Sequence, residues 1–156
     1  MITGNRKELY QKTVDILYYA YFNHTLRHSN CFACAVGNII AANKGFSFTS
    51  SKPIGIKWAD QHEASEWHYV FCTTMGRQII QTNNYKGKAK EQIDSTGYTL
   101  SELAKIEFAF ETAEPGKIPE DRMFNGLSAV LDILKEIHQI SDNTEEMERF
   151  RAHYLR

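Results

Sequence analysis

The sequence predicts a mainly α-helical fold, a compact bundle of five to seven helices with a small β-hairpin near residues 46–58. Three observations carry that expectation. Apolar residues recur at alternating spacings of four and three in several separate runs. Start and stop signals bracket those runs, the clearest being Thr99-Leu-Ser-Glu102 before one run and Pro115-Gly116 after it. A period of two is confined to Phe46 through Trp58.

The first run, Tyr10, Val14, Leu17, Tyr21, His24 and His28, reads as one face of a helix that starts near Asn5. Ser29-Asn30 offers an N-cap for a second helix from about Cys31 to Asn43, and Gly45 offers its stop. In the hairpin, Phe46 and Phe48 alternate with polar residues, as do Ile54, Ile56 and Trp58, across a Ser50-Ser-Lys-Pro53 turn. Asp60-Gln-His-Glu63 resembles a capping box and opens a helix to about Met75, ended by Gly76. Residues 77–87 read as a loop with room for a small strand, and a short helix follows near residues 88–93. The Thr99 capping box opens a helix to about Ala113. Met123, Leu127, Val130, Leu134 and Ile137 then mark the broadest apolar face, on a central helix from about Glu120 to Ile140. A last helix presents Met147, Phe150 and Tyr154, with early glutamates and late arginines that match the helix dipole.

The 156 residues fit one domain, 1–156, with no repeat or linker. Nine Phe, eight Tyr and two Trp against three Pro imply an aromatic-rich core. A formal net charge of -1 argues against a nucleic-acid or anionic-membrane partner, and Lys86-Gly-Lys88-Ala-Lys90 reads as a solvated loop. The longest mainly apolar stretch, Ala33 to Ala42, falls short of the ~20 residues a membrane helix needs. A cytoplasmic protein with reduced or metal-bound cysteines is therefore expected, since three cysteines cannot all pair.

Helical projection turns an unusual polar set inward: His24, His28, His68, Glu107 and His138, whereas His62 and His153 point away. Each buried polar group costs about 1 to 3 kcal/mol unless partnered, so this set calls for a shared site. Three readings compete. In the leading one, a small binding or regulatory protein has a structural zinc site, with His24, His28, Cys31, Cys34 and Cys72 as candidate ligands. Imidazole and thiolate suit zinc, and Cys31-Phe-Ala-Cys34 has the spacing of a zinc knuckle. In the second, Cys31 or Cys34 is the nucleophile of a hydrolase or transferase, activated by a helix N-terminus, with His68 or His24 as base and Glu107 or His138 orienting it. In the third, aromatics and the inward polar set, with Glu107 and His138 as ligand contacts, line a pocket for a small, nucleotide-like molecule. That third class is also compatible with a host-interaction or anti-defence role, for which no residue argues directly. The partner is a small molecule or another protein, and Glu107 and His138 are expected to meet each other or a common ligand. Zincin, EF-hand, Walker A, dinucleotide and di-iron patterns are absent.

Overall fold

A computed structural model describes residues 3–28, 34–44, 66–74 and 77–155. The described residues are mainly helical, as the apolar spacing predicts. In chain order the elements are α1 (Thr3–Phe22), α2 (Ala35–Asn43), β1 (Phe71–Thr74), β2 (Arg77–Ile80), α3 (Gly87–Asp94), α4 (Leu100–Glu111), α5 (Pro119–His138) and α6 (Thr144–Tyr154). Short 3-10 turns at Trp67–Tyr69 and Thr82–Asn84 flank the strands.

Helix α5 packs against α4, α6 and α1, so its apolar stripe becomes the middle of the core. Leu127, Val130, Leu131 and Leu134 are fully buried there. They meet Leu103, Ile106 and Phe110 of α4, Tyr10, Val14 and Leu17 of α1, and Phe150 of α6 in one cluster. At about 1.5 to 3 kcal/mol for each fully buried large side chain, this cluster is the main driving force of the fold. Helix α2 packs on α1 and α4, and both strands pack on α4.

The two longest helices end alike. His24 and Gln139 adopt left-handed backbone, with φ of 60° and 54°. At each, a pair of reversed bonds collects the last carbonyls. His24 N–H bonds Tyr21 O and Thr25 N–H bonds Ala20 O, while Gln139 N–H bonds Glu136 O and Ile140 N–H bonds Lys135 O. The first helix therefore stops at Phe22 instead of running on through His28. The four-three spacing continues beyond the helix that it describes.

The start of α4 is the capping box expected from sequence, with Thr99 Oγ1 accepting from Glu102 N–H and Glu102 Oε1 accepting from Thr99 N–H. At the start of α5, Asp121 Oδ2 accepts from the N–H groups of Lys117 and Ile118, and Pro119 fills the first helical position. The hairpin expected near residues 46–58 lies outside the described residues. The helix expected to reach Met75 is replaced, from residue 66 on, by a 3-10 turn and then β1, whose Phe71 and Thr74 lie opposite Ile80 and Arg77 of β2. The reason is local, because Val70, Phe71, Thr73, Thr74, Ile79 and Ile80 concentrate β-branched and aromatic side chains that favour a pleated surface.

Candidate functional site

Among the described residues, the His/Cys cluster does not form a metal centre. Among the described residues, no three His, Cys, Asp or Glu side chains group closely enough to hold an ion. The reason follows from where α1 ends. His24 is the exposed left-handed residue that closes the helix, so it shares no helical face with His28. His28 instead lies flat on the Phe110 ring, with centroids 4.2 Å apart and planes within 6°. Cys34 is a buried thiol at the N-cap of α2, where its Sγ accepts from Gly37 N–H at 3.3 Å. Cys31 lies outside the described residues, and Cys72 sits on β1.

The same finding overturns the zinc-based reading, and among the described residues no Cys-His-Glu constellation is assembled for the hydrolase or transferase reading. His68 stands on the 3-10 turn between Trp67 and Tyr69, far along the chain from Cys34, with burial pulling its pKa down. No hydrogen bond or ion pair joins Glu107 to His138. Nε2 of His138 pairs at 2.8 Å with the Tyr98 hydroxyl, which also donates to Thr13 Oγ1 at 2.7 Å. Tyr10 and Tyr98 face the imidazole edge-on. Burial lowers the His138 pKa and leaves its Nδ1 without a hydrogen-bond partner. Glu107 is also buried, and its Oε1 has no partner. Burial first, and then the charge of Glu111, push its carboxyl up to about 8.

A concavity among the described residues lies elsewhere. A groove of about 600 Å³ runs between the end of α1, residues 24–28, the start of α5 and the end of α6. Tyr21, His153 and Tyr154 give it aromatic walls, Leu26 and Met123 add apolar surface, and Arg27, Arg122 and His28 add polar groups. Its walls are built from ring contacts. His153 meets Tyr21 edge-on at 4.5 Å, and Tyr154 stacks on Phe124 at 4.5 Å.

Both guanidinium groups are oriented by backbone. Arg27 Nη1 donates to the carbonyls of His24 and Leu26 at 2.8 and 2.9 Å, and Arg122 Nη2 donates to Glu111 O at 2.8 Å. Each arginine thus engages one of its three nitrogens, and among the described residues neither has a carboxylate within ion-pair distance. Among the described residues of the lining, Glu120 is the one carboxylate beside two guanidinium groups, a net positive set.

His28 joins the groove to the core. Its Nε2 lies 3.0 Å from Phe110 O, one of the last carbonyls of α4 that no helical N–H can reach. Burial, reinforced by the Arg122 charge, lowers its pKa to about 4, so the ring is neutral at physiological pH. Gly126 permits this packing, since a Cβ there would stand 3.0 Å from Phe110 O and 3.2 Å from His28 Nε2.

Of these groups, sequence reasoning singled out only His24 and His28, and for a different role. His153 was expected to point away, yet it is half-buried against Tyr21. Arg27 sits in a connection, and the available signal for Arg122 was a cation near a helix start, where the dipole disfavours it. The buried amides of Asn38 and Gln92 were missed as well. Asn38 Nδ2 donates to Thr25 O and Cys34 O, and Gln92 Oε1 accepts from the N–H groups of Glu66 and Trp67. Both side chains hydrogen-bond backbone groups beyond their own helices. No protein-family model matches the chain, and neither a curated protein nor a solved structure matches it.

Proposed function

We propose that the protein binds a small organic anion in the groove between α1, α5 and α6. The observation that supports this reading is the convergence of Arg27 and Arg122, from distant parts of the chain, on an aromatic-walled concavity of about 600 Å³. Guanidinium groups match carboxylate or phosphate geometry through paired N–H donors, and their backbone anchors reduce the entropy lost on binding. The aromatic walls supply apolar area for the body of the ligand. The volume is in the range of ordinary small-molecule sites.

Titration of 15N-labelled protein with benzoate and with phenyl phosphate tests the proposal. Shift changes should concentrate on residues 20–28, 119–123 and 153–154, and Arg27→Gln should weaken binding at least tenfold. Arg122→Gln should do the same, and circular dichroism checks that the end of α4 survives loss of its cap. Uniform small shifts, or unaltered affinity in both variants, would refute the groove as the site.

A further inference from the structure

We propose that the ligand is an aromatic acid that carries a hydrogen-bond donor beside its anionic group, a hydroxyl or N–H that meets Nδ1 of His28. The inference rests on the groove reading above and concerns what the groove selects. A carbonyl oxygen only accepts, so the 3.0 Å contact with Phe110 O places the proton of His28 on Nε2. The ring is held in plane by its stack on Phe110, and turning it over within that plane would lose the bond to Phe110 O. A neutral imidazole with its proton on Nε2 has a lone pair at Nδ1. No residue described in the structure satisfies that atom, and His28 lines the groove.

Burial, and after it the Arg122 charge, keeps the His28 ring neutral, and both residues line the groove, so anion-binding donors and a pure acceptor share one lining. A bare carboxylate or phosphate satisfies the arginines but presents only oxygens to Nδ1. It leaves the imidazole lone pair desolvated and unpaired, whereas a ligand with an adjacent O–H or N–H completes the set. Sites with such a directional polar group reject analogues that lack the matching one more strongly than apolar pockets reject a missing methylene. Aromaticity follows from the lining, where Tyr21, His153 and Tyr154 offer ring surface to a planar body.

Matched probes test this. Affinities of the full chain for benzoate, the 2-, 3- and 4-hydroxybenzoates and 3-methoxybenzoate would be measured by calorimetry or NMR titration at pH 7. At least one hydroxybenzoate should bind about tenfold tighter than benzoate, and 3-methoxybenzoate should not. In His28→Gln, whose amide N–H still reaches toward Phe110 O, the preference should collapse to about one. The 15N shift of His28 Nδ1 in the parent should also move with the hydroxy acid and not with benzoate, a readout that holds even if the variant folds poorly. Equal affinities across the panel, or a preference that survives in His28→Gln, overturn the inference while the anion groove stands. Absence of binding by every probe overturns the groove reading and the inference with it.

Discussion

The hydroxyl of Tyr154 donates to Oδ1 of Asp121, tying the last turn of α6 to the first turn of α5, the two helix ends that line the groove. Asp121 is already committed on its other oxygen to the Lys117 and Ile118 N–H groups. With Tyr154 as the first cause and these backbone donors next, its carboxyl is held below the usual carboxylate range. One side chain thus caps a helix and fixes a wall of the groove.

Tyr154→Phe keeps the ring stacked on Phe124 but removes this bond. Amide hydrogen exchange over residues 150–155 should accelerate severalfold, with exchange in the middle of α5 unchanged. Affinity for benzoate should fall in parallel. Unchanged exchange at the end of α6 would show that Phe150, fully buried, holds that helix by itself.

The stripe of α5 and the Thr99 capping box were legible because both are local, each written within one or two turns. The end of α1 was not, because a left-handed C-terminal residue is announced by glycine, and here it is His24. The apolar spacing therefore carried His24 and His28 onto a helix that had already ended. The groove was illegible for a different reason. The partner of His28 is a backbone carbonyl 82 positions away, and no side-chain pattern encodes where a carbonyl will be. Of the cysteines, which drew attention by composition, Cys34 caps α2 and Cys72 sits on β1.

Stability should fall as pH rises through the titration of Glu107. Its folded pKa, about 8, lies above the value of 4.5 for an unperturbed glutamate, so the folded state holds the proton more tightly than the unfolded state. The stabilisation is complete below about pH 4.5 and is lost progressively up to about pH 8, a change on the order of a few kcal/mol. Chemical denaturation of the parent and Glu107→Gln at pH 5 and pH 8 measures it. The variant should lose less stability between the two, and parallel curves would contradict this assignment.

The opposite sign applies to His28. Its folded pKa, about 4, lies below the 6.5 of an unperturbed histidine, so its contribution is complete above pH 6.5 and is lost as pH falls toward 4. His28→Gln should flatten the acid limb of the stability profile relative to the parent. Two-dimensional NMR of the imidazole nitrogens should show a neutral ring, protonated at Nε2, at pH 6.

Gly126→Ala should destabilise the fold by roughly 1 to 2 kcal/mol, even though alanine is the better helix former. The added methyl meets Phe110 O at 3.0 Å, and a backbone carbonyl in a packed helix cannot move aside as a flexible side chain would. Thermal melts decide the sign. Stabilisation by the usual helix-propensity gain would show that α4 and α5 can separate at this point.

Gln139→Gly should stabilise by roughly 0.5 to 1 kcal/mol, because glycine adopts the left-handed conformation at φ 54° without the Cβ penalty. Gln139 lies outside the groove, so benzoate affinity should not change. A melting temperature at or below that of the parent would indicate that the glutamine side chain has a role at the helix end.

The donors that close off α4 are also those that face the groove, since His28 serves Phe110 O and Arg122 serves Glu111 O. Any ligand that drew Arg122 away from Glu111 would fray the helix, and any influence that frayed the helix would release Arg122 toward the ligand. Such competition for one donor makes occupancy and helix order reciprocal, each shifting the other by the same free energy. A substitution in α4 that strengthened or weakened its last turn, without touching the groove, would therefore tune affinity from a distance.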